Sequence, residues 1–583
     1  MEDSKVLDLV RRHDMLKDER ESWEKDWVSC AKLFLPRKCR ILERDSNQTN
    51  KGGLRTDIVD STGIYAMRDL AAGMHGGMTS PARPWFRLGL QDENLTKRAA
   101  VRSWLDEVQN RMRTLLHRSN FYNAVHHCYE ELGTFGSCFL FELPDPRSGI
   151  RFTPLTVGEY CLDIDEHARV DTVFRTLDLT ARQIVRMFGW DSVPQYVQTD
   201  YERPARPTLR YRVVHAIFPR DDRKPGKMDG KNKPFASVYW LEPTSSKSGN
   251  LGSNMSGYHL LSEMGFDELP GFGPRWDVTG MDVYGRSPGM DVAPDARMLQ
   301  QMRISTLKAL HKMVDPPVVS QGGLKNLDTL PGGQNYMDGQ NTQGQMVYPI
   351  FQVKPDLADA SVYMQQVQNQ IKEGLFNNLF RLLMNSDRRQ ITAKEVAARE
   401  EEKLILIGPV LERLHDELFI PLVDRTFNLM VKQDLLPPWP KEIQGMPIKV
   451  EFVSLLAQAQ KMVSTSAVDQ FMGFIGTHAQ VFPELLDIPD MDKVADGYAD
   501  YLGLEADMLK SQDQRDQSRQ AKQKMAQQAQ AQQTMDQLGS AADAAKTLSD
   551  TQIASGEGSP NALQALLSGL GNNPTPLNYN TGQ

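Results

Sequence analysis

The amino-acid sequence predicts an α+β fold, mainly helical, on three observations. Stretches with helical spacing recur from the N-terminus to about residue 445. A block at about 138–265 turns to aromatic and β-branched residues. Two long helical stretches, 291–314 and 358–384, are separated by a short piece too small to hold its own core.

Residues 1 to about 36 place Val6, Leu9 and Val10, then Trp23 and Trp27, at helical spacing before Pro36, which predicts one amphipathic helix or two. Trp23 and Trp27 read as core anchors. Residues 37–56 are polar, carry Gly52-Gly53, and read as a loop. A helix with one face of small residues follows, expected to stop at Gly76-Gly77. The Ser80-Pro-Ala-Arg-Pro-Trp-Phe turn reads as a rigid corner, with a partner-binding loop as the alternative. A second helical stretch covers 98–132, and the β-rich block beyond it is expected to be antiparallel, interrupted by a helix at 180–189 and carrying a charged hairpin tip at 219–234.

The 291–314 helix would span roughly 36 Å at about 1.5 Å per residue. Its apolar positions Val292, Ala296, Leu299, Leu307, Leu310 and Val314 form a stripe too thin for a globular core, with Arg297, Gln300, Arg303, Lys308 and Lys312 around the rest. The expectation is that 291–314 and 358–384 cannot be buried within one copy and lean on neighbours of their own kind. Between them, 318–356 offers short strand-like pieces among GG, PGG and DG turns. Thr392 followed by Glu395 is a capping box opening a long helix, bent near Pro409 and Pro421. A short strand and a cluster of helices follow from 447 to about 510. Of residues 511–540, 11 are Gln, a composition that sustains a helix; the last thirty residues read as unordered.

Composition narrows the function. The 583 residues are 40% hydrophobic and 24% charged, within the range of globular chains, and suggest two to four compact units. Neither an apolar run of membrane-spanning length nor a secretory leader is read, so the chain is expected to stay where it is made. Five cysteines, none spaced C-x-x-C, suggest neither a disulfide framework nor a zinc site and fit a reducing cytoplasm. The net charge of −8 argues against a surface that grips nucleic acid everywhere.

A phosphate-cradling Gly-x4-Gly-Lys-Ser/Thr loop, His-Glu-x-x-His and Gly-x-Ser-x-Gly are absent. His126 and His127 are adjacent and point to different sides of a helix, which reads as core or surface histidine rather than metal ligand. Asp163/Asp165 and Asp221/Asp222 read as turn carboxylates, with a metal site as the alternative. Arg388 and Arg389, between two long helices, read on pattern alone as solvated loop charges. The chain therefore carries no catalytic assignment and no cofactor.

Four segments together carry a resemblance: Trp23-x3-Trp27 before a Pro-ended helix; Asp60-Ser-Thr-Gly leading into LAAGMHGGMTSPARPWFRL (70–88); Asp315-Pro-Pro ending a long helix; and Thr392-Ala-x-Glu395-Val opening another. Over about 1–510 the chain resembles the portal, or head-to-tail connector, proteins of short-tailed bacteriophages. The resemblance implies a portal-type subunit: a wing at 1–285 completed by a long helix at 392–445, stem helices at 286–314 and 358–384, a clip at 315–357, a tunnel loop at 385–391, a crown at 446–510 and a tail at 511–583, forming an internal barrel or unordered. It implies a non-enzymatic dodecameric ring at one capsid vertex of the virion, made in the host cytoplasm. Double-stranded DNA would pass through it during packaging and ejection without sequence specificity and without a membrane. Implied partners are terminase, head-to-tail adaptor and tail proteins, and major capsid and scaffolding proteins.

A ring of about twelve such chains carries a formal charge near −96, which repels DNA over most of its surface. A duplex then slides rather than sticks, while a roughly 36 Å stem faces about 21 phosphates. Under the resemblance, Arg388 and Arg389 become the leading channel contacts, Arg303, Lys308 and Lys312 the stem contacts, and Leu324, Lys325, Tyr336 and Tyr348 the clip residues for partner docking. The rival reading is a metal-dependent DNA-processing enzyme using the acidic turns and the basic 219–234 loop.

Overall fold

The computed structural model describes residues 2–38, 58–92, 95, 98–202, 209–224, 226–227, 229–243, 257–321, 328, 330–337, 348–349, 357–379, 407–441, 443, 448–452, 468–478, 482, 488–502 and 512–550. Two units separate, Met1–Thr96 with Ala100–Leu504, and Lys97–Ala99 with Glu505–Gln583. In the first, one helix, α1 (Glu2–Phe34), covers the N-terminus. Its buried positions Val6, Val10, His13, Leu16, Arg20, Trp27 and Phe34 recur at intervals of three, four or seven residues, so one stripe faces the body. Trp27 Nε1 donates to the Phe135 carbonyl (3.1 Å), and buried Arg20 donates to the Tyr160 carbonyl (2.7 Å).

Helix α2 (Thr62–Met78) buries Ala66, Met67, Leu70, Ala71, Met74 and Gly77, and runs through Gly76-Gly77 instead of stopping there. A glycine inside a helix costs only about 1 kcal/mol relative to alanine, less than this buried face contributes. The Pro-bracketed corner at Ser80–Arg83 is a turn, after which the chain enters a strand, β1 (Phe86–Leu90). Its tip, Pro81 to Arg83, is exposed, and the buried Trp85 and Phe86 that follow fix it to the core.

The helical stretch expected at 98–132 is two helices, α3 (Ala99–Arg118) and α4 (Phe121–Phe135). The break has a local cause. The Asn120 side chain docks on a strand edge, accepting from the Phe152 backbone N–H (2.8 Å) and donating to the Phe152 carbonyl (2.7 Å).

Strands β2 (Phe139–Asp145) and β3 (Gly149–Leu155) form a hairpin completed by a short strand at Gly271–Phe272. Tyr160–Ile164, Val170–Thr180, Arg210–Pro219, Phe235–Leu241 and His259–Phe266 form an antiparallel five-stranded meander in chain order. The charged 219–234 segment is the hairpin tip of that sheet. Along Arg210–Pro219, Val214 and Ala216 face the cluster under α1, whereas Tyr211 and Val213 face the helices Ala181–Phe188 and Gln195–Glu202. Burial on both faces explains why apolar residues occupy consecutive positions here, Val213-Val214 and Ala216-Ile217, rather than alternate ones. The first of those helices matches the expected one and opens with a Thr180–Gln183 capping box; the second was not anticipated.

Residues 407–414 are helical, pass through a π turn at His415–Phe419, and continue as Ile420–Lys432. The widened turn directly precedes Pro421, which has no N–H to offer, so the regular helical hydrogen bonding is interrupted where a bend is expected. Strand Ile448–Phe452 pairs antiparallel with β1. Further helices occupy 468–478 and Met491–Leu502. In the second unit, Gln512–Asp550 is a 39-residue helix, as the Gln/Ala composition anticipates. The 37–56 loop beyond Lys38, the Thr392–Glu395 capping box and the last thirty residues lie outside the described residues. Cys30, Cys128, Cys138 and Cys161 are free and buried, and no helix among the described residues is long and apolar enough to cross a membrane.

One buried carboxyl sets a pH dependence. Glu142 on β2 is fully enclosed; the Thr426 hydroxyl donates to Oε1 (2.8 Å), while Oε2 has no partner among the described residues. Burial pushes its carboxyl from an ordinary 4.5 up to about 8, against the pull of the Thr426 bond and Arg425. The folded chain thus holds a proton that the unfolded chain releases. This group's contribution is complete below about pH 4.5 and is lost as pH rises toward 8. Glu142→Gln is expected to flatten the fall in stability between about pH 5 and pH 8, measured by denaturant titration at several pH values.

Candidate functional site

The helix expected at 291–314 spans Pro288–Val314 (α5). Ser287 caps it, accepting from the Met290 N–H (3.0 Å) and donating from its hydroxyl to the Thr134 carbonyl at the end of α4 (2.8 Å). Glycines on both sides let the two backbones meet. Gly136 closes α4 at φ +79°, where an added Cβ would overlap the Gly285 carbonyl oxygen; one at Gly289 would lie 2.8 Å from the Gly133 carbonyl oxygen.

Beyond Val314 the chain ends the helix at Asp315-Pro-Pro and forms a three-stranded sheet from Val318–Gln321, Gln334–Met337 and Tyr348–Pro349, the first strand central. It returns as α6 (Leu357–Gly374). A Cβ on Gly374 would lie 2.5 Å from Val292 Cγ2, and Gln368 lies level with Arg303, so α5 and α6 run antiparallel. The helix expected to run to 384 is interrupted after Gly374, where Phe376 takes a left-handed conformation (φ +56°) in a turn; 377–379 are helical again, and 380–384 lie outside the described residues.

The expectation that neither helix is buried within one copy is corrected. Val292, Ala293, Ala296 and Leu299 of α5, and Met364, Val367 and Ile371 of α6, belong to the chain's own main core. A stripe of Ala, Val and Leu is thin because the glycine-lined junction brings backbones close, and small side chains then fill the gap. The distal halves differ. Leu307 is 41%, Val314 77%, Val362 55% and Tyr363 52% exposed.

At the level where the pair leaves the core sits Asp60, just before α2. Its Oδ1 accepts from the Thr62 N–H (2.9 Å), and its Oδ2 accepts from Arg303 Nε and from Gln368 Nε2 (3.0 Å each). Gln300 Oε1 accepts from the backbone N–H groups of Val59 and Asp60 (2.9 Å each). Burial alone would raise the Asp60 carboxyl, but the bonds from Thr62, Arg303 and Gln368 outweigh it and hold it below the usual carboxylate range. One side chain therefore ties α2, α5 and α6 together. Sequence reasoning singled out the Asp60-Ser-Thr-Gly segment but not this role; the three partners converge only in space.

The expected site residues separate. Arg303 is engaged by Asp60. Lys308 is exposed on the distal half of α5, and Lys312, one turn on, is half-buried. Tyr336 pairs in register with Ser320 and Tyr348 with Val319, both in the small sheet. Arg388, Arg389, Leu324 and Lys325 lie outside the described residues.

The residues on which a metal-dependent reading would rest are used locally. Asp163 pairs with Arg12 (2.8 Å), Asp165 accepts from the His167 and Arg169 N–H groups within its turn, and Asp222 lies 3.8 Å from Lys5. His126 packs its ring 5.7 Å from His75, and His127 contacts Glu130 (3.2 Å). Among the described residues no group of three or more His, Cys, Asp or Glu gathers as a metal site would.

Asp60→Asn is expected to lower stability at neutral pH by about 1–2 kcal/mol, because Arg303 loses its anionic partner. A carboxyl held below its ordinary pKa gives stability that is present above about pH 4 and lost as pH falls through the folded value. The variant's acid-unfolding limb should accordingly be shallower, which circular dichroism against pH will read.

The profile of the family described as bacteriophage head to tail connecting protein matches residues 8–509. The chain is 40% identical over 503 residues to a probable portal protein of Bordetella phage BPP-1, covering 86% of this chain and 88% of that protein. It is 37% identical over 568 residues to a portal protein of Salmonella phage epsilon15, covering 97% and 98%. A family profile spanning the core, the paired helices and the small sheet, with two relatives aligned over most of their length, means that the chain belongs to the bacteriophage head to tail connecting protein family.

Proposed function

We propose that this chain is the portal subunit of a bacteriophage, a non-enzymatic part of the virion, assembling as a dodecameric ring at one capsid vertex through which double-stranded DNA enters and leaves. The observation that carries the reading is the helix pair. Its proximal halves are fixed in the subunit core, while its distal halves hold Leu307, Val314, Val362 and Tyr363 toward solvent. Apolar side chains on paired helices that leave the body suit contact with neighbouring copies, and a heterologous contact repeated around an axis closes into a ring.

In this reading α5 and α6 are the stem, the three-stranded sheet belongs to the clip, and residues 385–391 form the tunnel loop. The body before 286, with the 392–445 segment, is the wing; 446–510 is the crown and 511–583 the tail. Arg388 and Arg389 meet phosphate in the channel, with Lys308 and Lys312 contributing from the stem. Arg303 is reassigned: held by Asp60, it positions the helix rather than offering a free charge. Leu324, Lys325, Tyr336 and Tyr348 of the clip are the docking residues for terminase during packaging and for adaptor and tail proteins afterwards. Major capsid and scaffolding proteins surround the ring. A −8 chain repeated around a channel repels the duplex, so sparse cations centre it without a deep well.

Particle imaging of the purified protein should show closed rings with an axial hole; a folded monomer at assembly concentrations overturns the reading. Leu307→Glu with Val362→Glu should cut ring formation while monomer stability stays within about 0.5 kcal/mol for each exposed position, read by mass photometry alongside thermal melts. Replacing Arg388 and Arg389 together by Ala should reduce packaged DNA length or genome retention in particles with intact rings. Unchanged packaging and retention would remove these two residues from the channel.

A further inference from the structure

Besides the packing of its proximal halves in the main core, the helix pair is tied to the body at two places among the described residues. The deeper one is the glycine-lined junction at Ser287, and the outer one is Asp60. Beyond Asp60 the first exposed apolar side chain of α5 is Leu307, and about 16 Å of helix remains from Arg303 to Val314. Asp60 is thus the last described side chain tying the two helices to the body before their exposed halves begin.

Such a tie acts as the pivot of a lever. A ring of about twelve copies turns roughly 30° per subunit and one of about thirteen roughly 28°. A swing of only about two degrees at each stem therefore changes the copy number a ring prefers. Three features suit Asp60 to prevent that swing. It is buried, it carries a charge-assisted bond to Arg303, and it bonds α5 and α6 through the same oxygen, so rotation of either helix relative to the other breaks a bond. Gln300 adds direction: its amide grips the backbone of Val59 and Asp60 from α5, which stops that segment from following the helices.

We propose that Asp60 is a positioning residue for ring assembly: by joining α2 to Arg303 of α5 and Gln368 of α6, it sets the angle at which the stem meets the next copy and thereby the number of copies in the ring. The proposal rests on the ring reading above. It assigns Asp60 no contact with DNA and none with the neighbouring subunit. It acts through the helices.

The test uses the full-length protein as Asp60→Asn and as Gln368→Leu, with Ile184→Ala as a control. Ile184 is buried in the cluster between the Ala181–Phe188 helix and the five-stranded sheet, away from the stem. Copies per ring are counted by native mass spectrometry and particle imaging, and each variant's melting temperature is recorded. Loss of one charge-assisted tie should raise the ratio of off-number rings to the dominant ring by about tenfold in Asp60→Asn. Gln368→Leu should raise it less, and the double variant no more than Asp60→Asn alone. Ile184→Ala should lower the melting temperature without moving the distribution.

An unchanged distribution in both tie variants, or an equal shift in Ile184→Ala, overturns the role of Asp60 and leaves the ring reading standing. If Asp60→Asn does not fold, Gln368→Leu decides by the same measure. If the unaltered protein forms no closed rings, the ring reading falls and takes this proposal with it.

Discussion

The architecture depends on close approach of two backbones, where the end of α4 meets the start of α5. Gly136, Gly285 and Gly289 leave no room for side chains there, and Ser287 spans the contact with its hydroxyl on the Thr134 carbonyl. This contact decides that the long helix starts inside the body and points out of it. The Ala and Val side chains of its first turns are then the right size, since interiors pack to near-crystalline density and larger groups would be expelled.

Polar bonds fix what glycine contact alone leaves free. The helical segment 407–432 is bolted to the body by buried Arg275, whose guanidinium forms a two-pronged pair with Glu417 (2.7 and 3.4 Å) and donates to the Ala168 and Asp282 carbonyls. Glu417 lies in the π turn, where the widened backbone places it against the Arg275 N–H as well (2.9 Å). One helical turn or more beyond, Arg425 joins the Glu142 carbonyl and Glu268. Buried ion pairs add little net stability, because desolvation offsets most of the attraction, but breaking one is costly. They therefore serve to make one arrangement of this segment far better than its alternatives. Asp60 does the same for the α5–α6 pair.

The elements readable from sequence were those with a local cause. The buried stripe of α1, the helix expected at 180–189, the hairpin tip at 219–234 and the Asp315-Pro-Pro stop follow from spacing, turn and proline chemistry within a few residues. The misses have a distant cause. Strand β1 was hidden because its partner is Ile448–Phe452, at the other end of the unit. The α3–α4 break was hidden because Asn120 answers to Phe152. The helix Gln195–Glu202 fully buries Val197 alone among its eight residues, too little pattern to read. Of the candidate site, Arg303, Lys308 and Lys312 were placed on the correct helix, but nothing in their spacing distinguished the cation that Asp60 engages from the two farther along the exposed half.

By itself the sequence determined the class of the fold, the order of helix, small sheet and helix, and, through the segments around Trp23, Asp60, Ser80 and Asp315, the family. Each of these is written in short-range patterns that survive in one dimension. Only the tertiary structure decided how far the helix pair is buried and which charge it spends on its own support. That outcome depends on Asp60, Arg303 and Gln368 meeting within hydrogen-bond distance, although Asp60 is separated from Arg303 by 243 residues and from Gln368 by 308. The closure of such distant contacts depends on the packing of everything between them.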